Sequence, residues 1–106
     1  MSGNGVTMEW LMDDSISTDA KISLARMTLK CGVLSECHRH PNCAETIYVE
    51  SGLVRQRIGD DWINLKSGET CVIADGLCHQ TENIGDTDAV MMLCYSAGTR
   101  IYERVD

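Results

Sequence analysis

The feature that most constrains this chain is its punctuation. Short runs rich in Val, Ile, Thr and Tyr are broken by Gly, Asp and Asn about every ten residues. No stretch carries apolar residues at i, i+3, i+4 and i+7 beyond about one turn, so a helical bundle is excluded. Strands are predicted at residues 8–12, 22–30, 36–40, 46–50, 53–58, 62–65, 70–73, 79–83, 89–95 and 100–105, with turns at 31–32, 51–52, 59–61, 66–68, 75–76 and 84–86. So many short strands in 106 residues predict one all-β domain over 1–106, a jelly-roll sandwich or barrel. A chain this long buries only roughly 60–68% of its unfolded surface, so its single core is modest.

Composition narrows the partners. Hydrophobic residues at 43% and charged residues at 24% fit a packed globular domain rather than a disordered chain. The longest apolar run, 89–95, is far short of the ~20 residues of a membrane helix, so no membrane partner is expected. The net charge of −7 and the lack of a basic patch argue against nucleic acid. Residues 1–7 carry neither a basic region nor an apolar stretch, so a cytoplasmic location is expected. Six cysteines, at 31, 37, 43, 71, 78 and 94, show no C-x-x-C spacing. They read as reduced, small, buried hydrophobes, with a disulfide framework as the alternative.

The three histidines, His38, His40 and His79, carry the chemistry. His38 and His40 sit at i, i+2 of a predicted strand, so they point to one face ~6–7 Å apart. Pro41, the one proline, biases His40 toward extended backbone and starts a turn. A hairpin at 41–43 would return Glu45 beside the histidines, with Ile47 and Val49 on the same face. Two neutral nitrogens and a carboxylate suit divalent iron, manganese, nickel, zinc or copper.

Gly32-x5-His38-x-His40-x4-Glu45-x6-Gly52 resembles the first motif of the cupins. After a gap of fifteen residues, Gly68-x5-Ala74-x-Gly76-x2-His79-x3-Asn83 resembles the second, as in small single-domain members. Ala74 departs from the family's usual proline, which bears on loop rigidity rather than on metal binding. The resemblance implies a jelly-roll β-barrel in which His38, His40, Glu45 and His79 hold one divalent transition metal. It permits dioxygenase, isomerase, lyase or non-catalytic binding roles, and the fold does not choose among them. Dioxygenase chemistry on a small anionic or carbonyl-bearing metabolite stands slightly ahead, since four protein ligands leave two positions open on an octahedral ion. A non-catalytic ligand-binding or sensing module is the alternative.

Strand parity supplies weaker candidates. Val54, Gln56 and Ile58 share an inward face, making Gln56 a possible substrate contact or a satisfied amide. Glu36 shares parity with the histidines and is an acid–base candidate or a solvated carboxylate. Cys43 is the thiol expected nearest the site, as a fifth ligand or a plain buried thiol. Ala25, Met27 and Leu29 form an apolar face, and the methionines supply core filling. The modest core, with Trp10 and Tyr102 on edge elements, leads to the expectation of a homodimer.

Overall fold

The strands assemble into two antiparallel sheets that face one another. The computed structural model describes residues 4–105. Its strands are β1 (Val6–Met12), β2 (Ser23–Leu29), β3 (His38–Arg39), β4 (Glu45–Ser51), β5 (Leu53–Ile58), β6 (Asp61–Lys66), β7 (Thr70–Ile73), β8 (His79–Asn83), β9 (Ala89–Tyr95) and β10 (Glu103–Arg104). One sheet has the order β1-β2-β9-β4-β7 and the other β10-β3-β8-β5-β6. No described residue is helical.

Period-two patterning sets the inner faces. In β2, Ser23, Ala25, Met27 and Leu29 are buried, and in β9 Ala89, Met91, Leu93 and Tyr95 are. Across their ladder Ala25 faces Leu93 and Leu29 faces Ala89, small against large, while Met27 faces Met91 in between. Ile47, Val49 and Ile73 extend this apolar face.

The opposite sheet is more polar inside. Gln56, Thr81, Asn83 and His79 are buried there beside Val54 and Leu65. Thr81 Oγ1 donates to Gln56 Oε1 at 2.5 Å. Asn83 Nδ2 donates to the carbonyls of Leu29 (2.9 Å) and Thr87 (2.8 Å), which ties the two sheets together. Asn83 Oδ1 accepts from Gly85 N at 2.9 Å. Buried polar groups so paired cost little and specify one register.

Four expectations are corrected. The 36–40 strand shrinks to β3, because Ser35 Oγ takes the Thr81 N–H (2.9 Å) that a regular ladder would use. Residues 41–43 form no hairpin, since β3 and β4 lie in different sheets and the turn is a corner between them. The 100–105 strand shrinks to β10, because Ile101 spends its N–H on Asn42 Oδ1 and its carbonyl on His40. The cysteines are all free, but only Cys43 is buried; Cys31 is exposed and the other four are half-buried.

Gly52 fixes the β4–β5 corner where the chain changes sheets. Its φ of 95° is a left-handed conformation, and a Cβ there would stand 2.9 Å from Ala89 Cα. Gly52→Ala is expected to lower unfolding free energy by roughly 1–3 kcal/mol, read as a lower urea midpoint at unchanged slope.

Candidate metal centre

Four side chains from separate parts of the sequence meet at one end of the barrel. His38 and His79 are directly opposed across the β3–β8 ladder, with ring centroids 4.2 Å apart. His40, just past β3, lies 4.9 Å from His38 and 5.1 Å from His79 by centroids. Glu45, the first residue of β4, enters from the other sheet. One donor atom from each of the four lies within 4.8 Å of every other. His40, Glu45 and His79 are buried and His38 is half-buried.

Backbone carbonyls orient the three rings. His38 Nδ1 meets the Glu36 carbonyl at 2.7 Å, His40 Nδ1 the Ile101 carbonyl at 2.8 Å and His79 Nδ1 the Leu77 carbonyl at 3.0 Å. A carbonyl only accepts, so each Nδ1 carries the proton, and in a neutral ring Nε2 is left bare. Nε2 of His40 and of His79 then stand 3.2 and 3.1 Å from the same Glu45 oxygen. These three buried atoms have no hydrogen-bond partner. Lone pairs brought this close repel one another unless a cation sits among them, and burying them unpaired is costly. Nitrogen and carboxylate donors with carbonyl-anchored rings fit a divalent transition ion.

Burial pushes the Glu45 carboxyl up, but in the metal-free site hydrogen bonds from His40 and His79, and their charge, outweigh it where those rings carry a second proton and hold the group down at about 2. Burial, then the neighbouring His79, pushes His38 down to about 4. Burial and Glu45 push the Cys43 thiol up. Cys43 packs in the apolar core and is not part of the four-residue cluster.

A cavity of about 410 Å³ opens on the cluster. Met8, Met27 and Leu93 form apolar wall, and Glu36, Arg100, Tyr102 and Arg104 form the polar side. Glu36 stands on this cavity; its Oε1 accepts from the Tyr102 hydroxyl at 2.5 Å and its Oε2 pairs with Arg104 at 3.3 Å. Gln56 points inward but is fully buried and does not line the cavity; its amide bonds Thr81 and the Arg57 carbonyl. The turn at Ala74 holds without proline: Leu77 N donates to Ala74 O, and Gly76 N pins the loop to the His40 carbonyl at 2.9 Å.

Sequence reasoning missed the C-terminal segment. Ile101 orients His40, and Tyr102 stacks on His38 at 4.5 Å with an interplanar angle of 16°. Trp10 packs on Tyr95 at 5.9 Å. Tyr102, read as an edge aromatic, thus faces the site, while Trp10 backs Tyr95 from behind it. No motif marks them, because stacking on a ring needs only an aromatic residue brought there by the fold.

The family model for the Cupin domain matches residues 25–95, and the chain belongs to the cupin family. It is 30% identical over 101 residues to an oxalate decarboxylase of Arthroderma benhamiae, covering 90% of this chain but 24% of that protein. A solved oxalate oxidase superposes with a TM-score of 0.87 at 24% identity, over 98% of this chain and 57% of that one. A double-stranded β-helix protein of Klebsiella pneumoniae superposes at 0.86 and 17% identity, over 100% of this chain and 89% of that one. The chain therefore spans about a quarter of the curated relative that it matches.

Two outcomes follow. His79→Ala is expected to lose stoichiometric metal on elemental analysis while the far-ultraviolet circular dichroism of the barrel persists; undiminished metal would remove His79 from the ligand set. The metal-free chain should lose stability on acidification. The unfolded His38 imidazole titrates near 6.5 and the folded one near 4, so this contribution is complete above pH 6.5 and falls away as pH drops toward 4. Glu45 adds a further loss between its ordinary 4.5 and about 2. Thermal midpoints measured from pH 7 to pH 3 check both windows.

Proposed function

We propose that this cupin is a metal-dependent enzyme acting on a small carboxylic acid held at His38, His40, Glu45 and His79. The observation that carries the reading is the meeting of three buried, partnerless donor atoms on a cavity large enough for a metabolite. Three neutral imidazoles and one carboxylate would leave a divalent ion with a net charge near +1, which attracts an anionic chelator. When bound, such an ion supplies Lewis acidity and, as iron or manganese, one-electron chemistry. Dioxygen-dependent oxidation of the acid stands ahead of isomerase or lyase chemistry. The related oxalate decarboxylase and oxalate oxidase make oxalate the first acid to test.

The chain's own residues supply the rest. Glu36 is the carboxylate placed to hold a proton at the cavity, and the Tyr102 hydroxyl, whose acidity burial and Glu36 suppress, keeps Glu36 in position. Apolar wall at Met8, Met27 and Leu93 excludes water from part of the cavity. One observation favours the second reading, a non-catalytic binding module: Glu36 is already engaged by both Tyr102 and Arg104. We also propose a homodimer, consistent with edge strands β1 and β10, and a cytoplasmic location, consistent with six free thiols.

Elemental analysis of untagged protein, followed by oxygen uptake and carbon dioxide release from oxalate and other small acids, tests the proposal. A near-equimolar redox metal with turnover is expected. Saturable binding without product would move the chain to the binding-module reading, and substoichiometric mixed metals would overturn the metal site. Sedimentation velocity reads the dimer.

A further inference from the structure

Arg100 differs from every other arginine of the chain. Arg26, Arg39, Arg55 and Arg104 each pair with a glutamate, at Glu9, Glu103, Glu82 and Glu36 respectively. Arg57 donates to the Gly59 carbonyl and to Gln80. Arg100 has neither a carboxylate nor a hydrogen-bond acceptor among the described residues, yet it is half-buried and lines the cavity that opens on the metal cluster. Aromatic rings hold it instead: its guanidinium carbon is 5.0 Å from the ring centroids of Trp10 and of Tyr102 and 5.3 Å from that of Tyr95. The rings offer a cation–π environment but no carboxylate or carbonyl oxygen, so the guanidinium N–H donors remain for a planar acceptor such as a carboxylate.

Its place relative to the cluster is also defined. Tyr95 meets His40 edge-on at 5.2 Å, and Tyr102 stacks on His38. Arg100 thus stands one ring away from the histidines, on the shared cavity. Glu36 does not neutralise it, because Tyr102 and Arg104 already engage that carboxylate. Among cavity-lining groups, Glu36 and Glu45 balance Arg100 and Arg104, so a divalent ion would leave the cavity doubly positive within a chain of net charge −7. The cavity of about 410 Å³ is larger than a two-carbon acid needs.

We propose that Arg100 is a specificity-determining residue that takes the distal carboxylate of a dicarboxylic acid longer than oxalate, with the acid's chelating end at the four-ligand cluster and its methylene body against Met8, Met27 and Leu93. This rests on the metal-site reading and narrows it: one end of the molecule must reach past a ring to Arg100, and the wall between is apolar.

The test is isothermal titration of the full chain, loaded with Mn(II) and also metal-free, with 2-hydroxyglutarate and 2-hydroxypentanoate. The two share a chelating head and a chain length and differ in the distal carboxylate. The unmodified chain should prefer 2-hydroxyglutarate by about tenfold to a hundredfold, the usual range for a charge-assisted hydrogen bond. Arg100→Gln should abolish that preference, leave 2-hydroxypentanoate affinity within about twofold and keep the Mn(II) content. Arg100→Lys should keep part of the preference, since a point charge replaces the planar fork. No preference in the unmodified chain, a preference that survives in R100Q, or an equal weakening of both acids (a purely structural arginine) overturns the proposal. If R100Q fails to fold, an undiminished preference in R100K overturns it and a severalfold fall supports it. Failure of the chain to take up Mn(II) counts against the metal reading alone, and the metal-free titration then decides for or against Arg100.

Discussion

Everything in this structure is arranged around lone pairs that have no protons between them. Carbonyls of Glu36, Ile101 and Leu77 take the Nδ1 protons of the three rings, which turns their Nε2 edges inward, and the Glu45 carboxylate meets two of them at 3.1–3.2 Å. Without a cation this is a repulsive arrangement in a buried place, and the surrounding fold must hold it closed. The two sheets do so from opposite sides: His38 and His79 come from one and Glu45 from the other. Sheet packing and the four-residue cluster are thus one constraint, because sliding either sheet by a residue would flip one of its side chains out of the barrel.

The division of labour between the sheets follows. The sheet of β2, β9 and β4 is apolar inside and supplies most of the burial that drives folding. Its partner carries the polar interior, and there each core polar group outside the cluster finds an acceptor or donor: Gln56 with Thr81, and Asn83 with Leu29, Thr87 and Gly85. Full pairing around the site makes the partnerless atoms within it stand out. Orphaned groups in an otherwise satisfied interior mark the place where something other than protein completes the structure.

The C-terminal segment lies outside the matched part of the family yet closes the site. It gives up regular strand pairing at Ile101 to orient His40, and it places Tyr102 and Arg100 beside the rings. The barrel supplies the ligands, whereas this segment supplies the wall that a metabolite would meet, so differences between related barrels are expected to concentrate there.

The all-β class, the inward faces of β2, β4 and β9 and the four ligand-type residues were legible in the chain, because strand periodicity and short-range spacing are local properties. Gly52 was legible as part of a motif, although its closeness to Ala89 was not. The β3–β4 corner was misread as a hairpin, since a turn signal does not say whether the next strand rejoins the same sheet. Gln56 was given the correct face but the wrong neighbours, because parity fixes direction and not what lies opposite. Arg100, Ile101 and Tyr102 were invisible as site residues: Ile101 acts through a carbonyl that every residue has, and Tyr102 and Arg100 are set by contacts that include His38 and Trp10, more than sixty residues away in sequence. Sequence alone determined which atoms can bind a metal. Tertiary structure decided that their protons point away from one another, and which rings complete the cavity around them.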